Sequence, residues 1–356
     1  MVAARNLRSI GDSARPSKGD DLRPWQNFVA SAIAVSVVTM LDSVCQLVVL
    51  LASSYIVVRV TKTLIILAHS IIAHFIWPEH DLTPYLDKWT VVTGGTDGIG
   101  RCYIEELAST RGVRKFYLLG RNPTKLEKVK NELVERYSCE VITKVFDFEK
   151  DDVEQLPEAL KSMDVGILVN CAGIGPSQVA DVTELPNNLP STIYKVNLLT
   201  PTKMIELILP GMVKRNLGIV VNFSSMTCWR PLPYMSTYPS SKAALSFFSD
   251  TLSYELHGKS NVRVQCLIPL LVATKIASYD SEEANDIWVI DPKTYAKQAV
   301  HLIGQWNLAP GCFLHDIQVA LGTLIGFPLF RAVFVPFVML GVHKKRVASY
   351  QAKKSS

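Results

Sequence analysis

The chain has 356 residues, enough for one large domain with extensions or for two domains of roughly 150 residues each. Hydrophobic residues make up 48% of it and the mean hydropathy is +0.20, which excludes a disordered or collagen-like chain. The net charge of +5 does not imply a nucleic-acid partner. The seven cysteines are widely spaced without a CxxC pair, so we expect a reducing compartment and no disulfide framework, zinc site or other metal site.

The first apolar concentration lies in residues 28–80 and is interrupted by Asp42, Arg59 and Lys62. Each uninterrupted run is shorter than the ~20 apolar residues that span a bilayer. A span must therefore include a charge, and Arg59 or Lys62 near its end would reach the head groups. We expect one span near residues 41–62; the alternative is a buried or interfacial helix pair that does not cross. The preceding basic tail, residues 1–27, favours a cytosolic flank over a mitochondrial presequence.

Between Trp89 and Cys312, short β-rich runs alternate with helical stretches. This pattern predicts an α/β fold with a Rossmann-like, doubly wound parallel sheet. The predicted strands are 89–93, 115–119, 140–146, 166–171, 218–223 and 262–268. Asn122 before Pro123 predicts a helix N-terminus, and Leu126, Val129 and Leu133 form its buried face.

A second apolar concentration, residues 317–342, contains Pro328 and Pro336, which argue against one straight helix. It either lies on the membrane, covers a hydrophobic substrate entrance or completes the core. The predicted division is a flexible basic tail (1–27), a hydrophobic membrane anchor (28–80), a single catalytic domain (85–316), an apolar C-terminal segment (317–342) and a basic tail (343–356).

The first strand ends in TGGTDGIG, residues 93–100, followed by an amphipathic helix. Glycines at 94, 98 and 100 permit a tight turn whose backbone N–H groups approach a pyrophosphate at a helix N-terminus. Arg101 and Cys102 stand where a Walker A loop needs Lys and Ser or Thr, so ATP hydrolysis is not expected. The alternative is a plain structural turn.

The second strand is followed by Gly120 and Arg121, without the carboxylate that selects NAD. A guanidinium suits the additional 2′-phosphate, so this position indicates NADP(H). The alternative is an exposed arginine with no ligand.

YPSSK places Tyr238 and Lys242 four residues apart, on one face of a helix through Leu256. A free phenol has a pKa of about 10, and a neighbouring ammonium would stabilise the phenolate that general acid/base chemistry requires. Ser225, just past a strand end, is positioned to hydrogen-bond a substrate carbonyl, and on chemistry alone Ser224 competes with it.

Together, TGGTDGIG, NCAG (170–173), Asn197, Ser225 and YPSSK resemble the short-chain dehydrogenase/reductase superfamily. DVGILVNCAG, LPGMV, GIVVNFSS and PLLVATK resemble its membrane-bound 17β-hydroxysteroid dehydrogenases of types 3 and 12, very-long-chain 3-oxoacyl-CoA reductases and hydroxysteroid dehydrogenase-like proteins. The resemblance implies an NADP(H)-dependent oxidoreductase that reduces a keto group on a lipophilic substrate, either a long-chain 3-oxoacyl-CoA or a 17-oxosteroid. Alternatives are a catalytically silent membrane protein that binds cofactor, lipid or a partner, and, disfavoured by the apolar extensions, a soluble polyol dehydrogenase.

The resemblance also implies roles for individual residues. Tyr238 would donate the proton, Lys242 would lower the phenol pKa and bind the nicotinamide ribose, and Ser225 would hold the carbonyl. Asn197 would bend a helix so that a backbone carbonyl supports a water relay to Lys242. The implied cofactor contacts are Gly94, Thr96, Asp97, Gly98, Ile99, Gly100, Arg121, Asp147 at the adenine, Asn170, Gly173, Tyr238, Lys242, and Val272 with Thr274 over the nicotinamide amide.

Two residues depart from the family pattern. Cys171 stands where a second asparagine is usual, and Leu270 follows Pro269 where the superfamily commonly has glycine and this subfamily often an aromatic residue. Both departures bear on nicotinamide and substrate fit. The terminal KKSS places Lys353 and Lys354 as in a dilysine retrieval signal, which is read by a receptor. We therefore expect an endoplasmic-reticulum membrane protein with a cytosolic catalytic domain, the alternative being a mitochondrial one. A homodimer is left open.

Overall fold

The computed structural model of the chain describes residues 23–176, 178–285 and 287–355. It divides into two compact units, Met1–Thr61 and Lys62–Ser356. The N-terminal basic tail up to residue 22 and the last serine of KKSS lie outside the described residues. The predictions for these ends therefore stay predictions.

A parallel sheet forms the centre of the second unit. Among the described residues it has seven strands, in the order β3-β2-β1-β4-β5-β6-β7. The strands are β1 Trp89–Thr93, β2 Lys115–Gly120, β3 Glu140–Val145, β4 Val165–Asn170, β5 Ile219–Phe223, β6 Arg263–Leu267 and β7 Leu308–Ala309. The strand order reverses between β1 and β4, and open α/β sheets bind ligands at the carboxyl ends of the strands at such a point. The predicted doubly wound, Rossmann-like fold is confirmed.

Helices cover both faces of this sheet. They are α2 Gly98–Ser109, α3 Pro123–Tyr137, α4 Leu189–Tyr194, α5 Thr200–Arg215, α6 Thr237–Leu256 and α7 Pro292–His301. Val91 and Val92 of β1 are both fully buried and belong to different core clusters, because successive strand residues point to opposite faces. The cluster around Val92 includes residues of α2, α3 and α7, whereas that around Val91 includes residues of α5.

All six strands predicted from the sequence are present, with ends that differ by no more than one residue. Asn122 caps α3 as predicted, since its Oδ1 accepts a hydrogen bond of 2.9 Å from Lys125 N. Leu126, Val129 and Leu133 form the buried face of α3. The sequence analysis did not predict β7, because a strand of two residues is too short to show a periodic pattern.

The N-terminal apolar region is one helix, α1 Arg23–Ile71, which continues as a π-helix over Ile72–Ile76. Trp25–Ile76 is long and apolar enough to cross a membrane, with a mean hydropathy of 2.1. The helix exceeds the predicted 41–62 segment because no Gly or Pro lies between residues 25 and 77. Charged residues do not interrupt it: Asp42 accepts a hydrogen bond of 2.9 Å from Gln46 Nε2, one turn onward.

The C-terminal apolar region is broken, as its prolines predict. It forms α8 Phe313–Leu324, α9 Phe327–Val333, a π-helix over Phe334–His343 and α10 Lys344–Ser355. The direction changes by 103° between the first of these helices and the rest. Pro336 lies in the π-helix, which accommodates a residue without an N–H donor. The predicted boundary at residue 317 falls inside α8, which belongs to the same compact unit as the sheet.

Candidate active site

The glycine-rich turn joins β1 to α2 at the point where the strand order reverses. Gly94 has φ +73° and Gly98 has φ +53°, in the left-handed region that favours glycine. A Cβ on Gly94 would lie 2.6 Å from Ala172 N, and one on Gly100 would lie 2.4 Å from Gly94 O. Helix α2 begins at Gly98, so its first N–H groups lie at the carboxyl edge of the sheet, where they suit an anion.

Asp97 organises this turn. Its Oδ1 accepts a hydrogen bond of 2.9 Å from Gly98 N, and its carboxylate pairs with Lys275 and, at 3.0 Å, with Lys125. Partial burial alone would raise the pKa of the Asp97 carboxyl. The hydrogen bonds from these two lysines outweigh that effect and lower the pKa to about 2. Asp97 therefore joins the turn to α3 and to the segment after β6.

Thr96 and Ile99 have different surroundings in the turn. Thr96 Cγ2 lies 3.5 Å from where a Cβ on Gly120 would be, which places Thr96 beside the end of β2. The Ile99 side chain is partly buried and packs against the core cluster. These placements fit a turn that presents backbone groups to a ligand.

Arg121 follows β2 as predicted, but its guanidinium is paired with Glu149. The Arg121 side chain is 63% exposed. Asp147, near the end of β3, accepts a hydrogen bond of 3.0 Å from Glu149 N at Oδ1. A 2′-phosphate would therefore have to compete with the Glu149 carboxylate for Arg121.

Asn170 ends β4 and is buried. Its Nδ2 donates to Asn222 Oδ1 at 2.9 Å, while its Oδ1 has no hydrogen-bond partner among the described residues. Next to it, burial raises the pKa of the Cys171 thiol to about 12, so the group is a neutral thiol at physiological pH. A Cβ on Gly100 would lie 3.2 Å from the Cys171 sulfur. Cys171, which departs from the family pattern, therefore packs closely against the start of α2.

Gly173 lies close to two of the predicted catalytic side chains. A Cβ there would lie 3.3 Å from Asn197 Oδ1 and 3.5 Å from Lys242 Nζ. Asn197 lies in a π-helix, Lys195–Leu199, so a distortion separates α4 from α5 where the resemblance implies a bent helix. Asn197 Oδ1 accepts from Ile174 N and its Nδ2 donates to Ile174 O, both at 2.9 Å. The Asn197 amide thus fixes the backbone at Ile174.

Tyr238 and Lys242 lie on the first turns of α6, facing the end of β5. The Tyr238 phenol lies near the Ser225 hydroxyl, which lowers the pKa of the phenol against the rise that burial causes. Lys242 Nζ donates to Phe223 O at 2.7 Å and lies 6.0 Å from the centre of the Tyr238 ring. Ser224 instead donates its hydroxyl to Lys242 O at 2.7 Å, so the geometry favours Ser225 as the group that faces a substrate.

Burial governs the protonation of this cluster. It raises the pKa of the Tyr238 phenol, and the Ser225 hydroxyl partly opposes that rise. Burial also lowers the pKa of the Lys242 ammonium to about 8. Because Lys242 is directed at the Phe223 carbonyl, its predicted effect on the phenol stays a prediction.

Val272 and Thr274 lie in the segment that follows β6. Val272 is buried and forms a parallel bridge with Ile290. Thr274 Cγ2 lies 3.3 Å from where a Cβ on Gly98 would be, so this segment approaches the glycine-rich turn. The carboxyl edge of the sheet therefore brings together the predicted residues of the turn, the Ser–Tyr–Lys cluster and the segment after β6.

Three residues that contact this site were missed from the sequence. Ser241 receives a hydrogen bond of 3.2 Å from Asn197 Nδ2, and its position inside YPSSK was an available signal. Lys275 pairs with Asp97 directly after the predicted Thr274. His315 contacts the backbone at Leu270 from α8, and no local sequence pattern indicates that contact.

A doubly wound sheet with a glycine-rich turn, and with Ser, Tyr and Lys side chains at the neighbouring strand end, defines a nucleotide-dependent oxidoreductase. The family model described as "short chain dehydrogenase" matches residues 88–285, more than half of the chain. The chain belongs to the short-chain dehydrogenase family.

Relatives with known names agree with this family. An uncharacterized oxidoreductase of Caenorhabditis elegans is 58% identical over 178 residues, which cover 50% of this chain but only 22% of that protein. A very-long-chain 3-oxoacyl-CoA reductase of Bos taurus is 37% identical, over 69% of this chain and 78% of its own length. A protein of Homo sapiens named inactive hydroxysteroid dehydrogenase-like protein 1 is 39% identical, over 67% and 72%.

Solved structures show the same fold. A short-chain dehydrogenase from Sphingobium yanoikuyae in complex with NADPH has a TM-score of 0.56 and 22% identity, covering 66% of this chain and 92% of its own. An alcohol dehydrogenase from Thermococcus sibiricus, complexed with 5-hydroxy-NADP, has a TM-score of 0.53 and 26% identity, covering 60% and 88%.

Proposed function

We propose that this chain is an NADPH-dependent reductase of a keto group on a lipophilic substrate, either a long-chain 3-oxoacyl-CoA or a 17-oxosteroid. The observation that carries the proposal is the proximity of the Ser225 hydroxyl to the Tyr238 phenol, with Lys242 one turn along the same helix, at the strand end beside the glycine-rich turn. This arrangement holds a hydroxyl and a phenol where both reach one carbonyl oxygen.

The residues of the turn fit a dinucleotide. The left-handed glycines and the N-terminus of α2 suit a pyrophosphate, and Gly173 leaves room beside Asn197 and Lys242 for a ribose. Arg121 at the end of β2 favours the 2′-phosphate of NADP(H) over NAD, and the complexes of the two similar structures agree with this choice. When bound, the cofactor supplies the hydride for the carbonyl carbon.

The protein's own residues handle the proton. Tyr238 gives its phenolic proton to the carbonyl oxygen, which Ser225 holds by a hydrogen bond. Because Lys242 stays protonated at neutral pH, its ammonium stabilises the phenolate that remains and binds the ribose. Asn197 lies in the distorted helix and holds the Ile174 backbone. A backbone carbonyl of that bent helix supports the water relay that returns a proton to Lys242.

A lipophilic substrate is supported by the apolar surroundings of the site. Val179, Met339 and Val347 form a buried cluster, against which Leu232 and Met235, from the loop between Ser225 and Tyr238, pack. Arg230 of the same loop donates to the Gly322 and Ile325 carbonyl oxygens at 3.2 and 3.1 Å. These contacts support the proposal that the C-terminal segment 317–342 covers the substrate entrance, and the name of the Bos taurus relative agrees with an acyl-CoA.

We further propose that α1 anchors the protein in the endoplasmic-reticulum membrane, with residues 85–316 as a cytosolic catalytic domain. The apolar surface of Trp25–Ile76 supports the anchor. On α6, Phe247 is 76% and Tyr254 is 70% exposed, which supports the homodimer that the sequence analysis left open.

A panel assay tests the substrate class. Detergent-extracted protein is supplied with NADPH and with long-chain 3-oxoacyl-CoAs, 17-oxosteroids or small polyol precursors, and NADPH oxidation is followed. Turnover on either lipophilic class supports the proposal, whereas turnover confined to small polar ketones contradicts it.

The second candidate function is a catalytically silent membrane protein that uses the same fold to bind cofactor, lipid or a partner. The observation that favours it is the 39% identity with the human relative whose name includes "inactive". It is distinguished in the same panel by NADPH binding without oxidation on any ketone.

A further inference from the structure

The segment that follows β6, residues 269–274, carries Val272 and Thr274, and we call it the clamp segment. Neighbouring backbone holds it in place: Pro269 O accepts from Met226 N at 2.9 Å, beside Ser225. Leu271 O accepts from Ile290 N at 3.1 Å, and Ala273 N donates to Ile290 O at 2.9 Å. Neighbouring backbone thus holds the clamp segment at Pro269, Leu271 and Ala273.

His315 of α8 makes a further contact with this backbone. Its Nδ1 accepts a hydrogen bond of 3.2 Å from Leu270 N, and its Nε2 lies 3.4 Å from Leu271 O. These two contacts assign the proton to Nε2, since Nδ1 faces a donor and Nε2 faces an acceptor. One imidazole therefore pairs with the N–H of one residue and with the carbonyl of the next.

The His315 ring is itself held rigidly. It is 0% exposed, and burial lowers its pKa to about 4, so the ring is neutral at physiological pH. Its centre lies 5.5 Å from that of the Tyr295 ring, whose hydroxyl donates to Pro310 O at 3.0 Å. A buried, neutral and packed imidazole is suited to positioning its neighbours.

We infer that His315 is a positioning residue, which sets the Leu270–Leu271 backbone and thereby the placement of Val272 and Thr274 over the nicotinamide. The inference rests on the proposed function, because the nicotinamide is part of that proposal. Helix α8 lies beyond the residues 88–285 that match the family, so this brace comes from the chain's own C-terminal extension. It acts at Leu270, the residue that departs from the family's glycine.

Three variants separate this role from a general effect on folding. His315→Phe keeps a ring of similar size and removes both polar contacts. His315→Asn keeps an acceptor near the position of Nδ1 and loses the contact with Leu271 O. Asp316→Asn is the matched control, because Asp316 is the next residue in α8 and its carboxylate contacts His74 at 2.8 Å rather than the clamp segment.

Two measurements are made on the full-length protein in detergent. In the absence of cofactor, we expect amide hydrogen exchange in the clamp segment to be about tenfold faster in His315→Phe, since the Leu270 N–H loses its acceptor. In a fluorescence titration with NADPH, we expect Kd to rise about tenfold, the equivalent of about 1.4 kcal/mol. We expect an intermediate change in His315→Asn and values within about twofold of the parent in Asp316→Asn.

A purely structural role would lower the melting temperature and leave both readouts at their parent values. Parent-like exchange and parent-like Kd in His315→Phe would overturn the inference, and His315→Asn decides in the same way if the phenylalanine variant does not fold. Failure of the parent protein to bind NADPH would contradict the proposed function instead, and the exchange comparison would still test the His315 contact.

Discussion

Ser225, just past the end of β5, and Tyr238, on the first turn of α6, are neighbours, and the Ser225 hydroxyl lowers the pKa of the Tyr238 phenol against the rise that burial causes. The adjacent Ser224 instead donates to the Lys242 carbonyl. The two neighbouring serines therefore have different partners, and we expect a carbonyl oxygen placed next to Tyr238 to meet Ser225 rather than Ser224.

Alanine substitutions at these two serines should have opposite signatures. Ser225→Ala removes a hydrogen bond to the reacting oxygen, so we expect kcat to fall by about 10²–10³-fold with little change in melting temperature. Ser224→Ala removes a buried hydrogen bond within the fold, so we expect a loss of about 1 kcal/mol in the free energy of unfolding and kcat within about threefold. The reverse pattern in thermal unfolding and steady-state assays would contradict the assignment.

The Arg121–Glu149 ion pair should control the choice of cofactor. Arg121→Ala removes the guanidinium proposed for the 2′-phosphate, and we expect the preference for NADPH over NADH, measured as a ratio of Kd values, to fall about tenfold or more. Glu149→Ala frees the same guanidinium, so we expect tighter NADPH binding and unchanged NADH binding. An unchanged ratio in both variants would show that Arg121 is only an exposed arginine.

The contribution of Asp97 to the stability of the fold should depend on pH. Its pKa is about 2 in the folded protein and 3.8 in the absence of structure, so its contribution is present above about pH 4 and is lost as the pH falls towards 2. Asp97→Asn retains an N-cap side chain but loses the charge. We expect the variant to melt about 1–3 °C lower at neutral pH, because Asp97 is 51% exposed and screened by solvent.

The difference between Asp97→Asn and the parent protein should shrink as the pH falls through this range, and at about 1 M NaCl at neutral pH. Differential scanning fluorimetry on matched samples measures it. A difference that stays constant from neutral pH to acid would show that the two lysines do not stabilise the turn through the carboxylate charge.

Much of the fold could be predicted because its signals are local. Alternating strands and helices, the cap at Asn122 and the two C-terminal prolines each report on neighbouring residues, and the structure has the elements that they predict. Helix α1 extends beyond the predicted 41–62 span because helix formation depends on the absence of Gly and Pro, and which part of the helix crosses a membrane stays a prediction. The strand β7 exists through its pairing with β6, which a two-residue pattern does not reveal.

The residues of the site likewise divide into those that local patterns predict and those whose contacts depend on distant parts of the chain. Tyr238, Lys242 and Ser225 were recognised by their order and spacing, whereas the partner of Arg121 and the contact of His315 depend on residues 28 and 45 positions away. Burial adds a further effect, because the raised pKa of Tyr238 and the lowered pKa of Lys242 follow from packing that the sequence does not specify. Spacing therefore indicated which residues meet, and the structure gives their partners and protonation.

The most direct test of the central claim is the rate of NADPH oxidation by Tyr238→Phe in detergent, with the ketone that the parent protein reduces fastest. A fluorescence titration with NADPH serves as the control for an intact cofactor site. Because the variant lacks the proton donor, we expect NADPH binding within about twofold of the parent and a rate lower by about 10²–10⁴-fold. A variant that binds NADPH and oxidises it as fast as the parent would contradict the account.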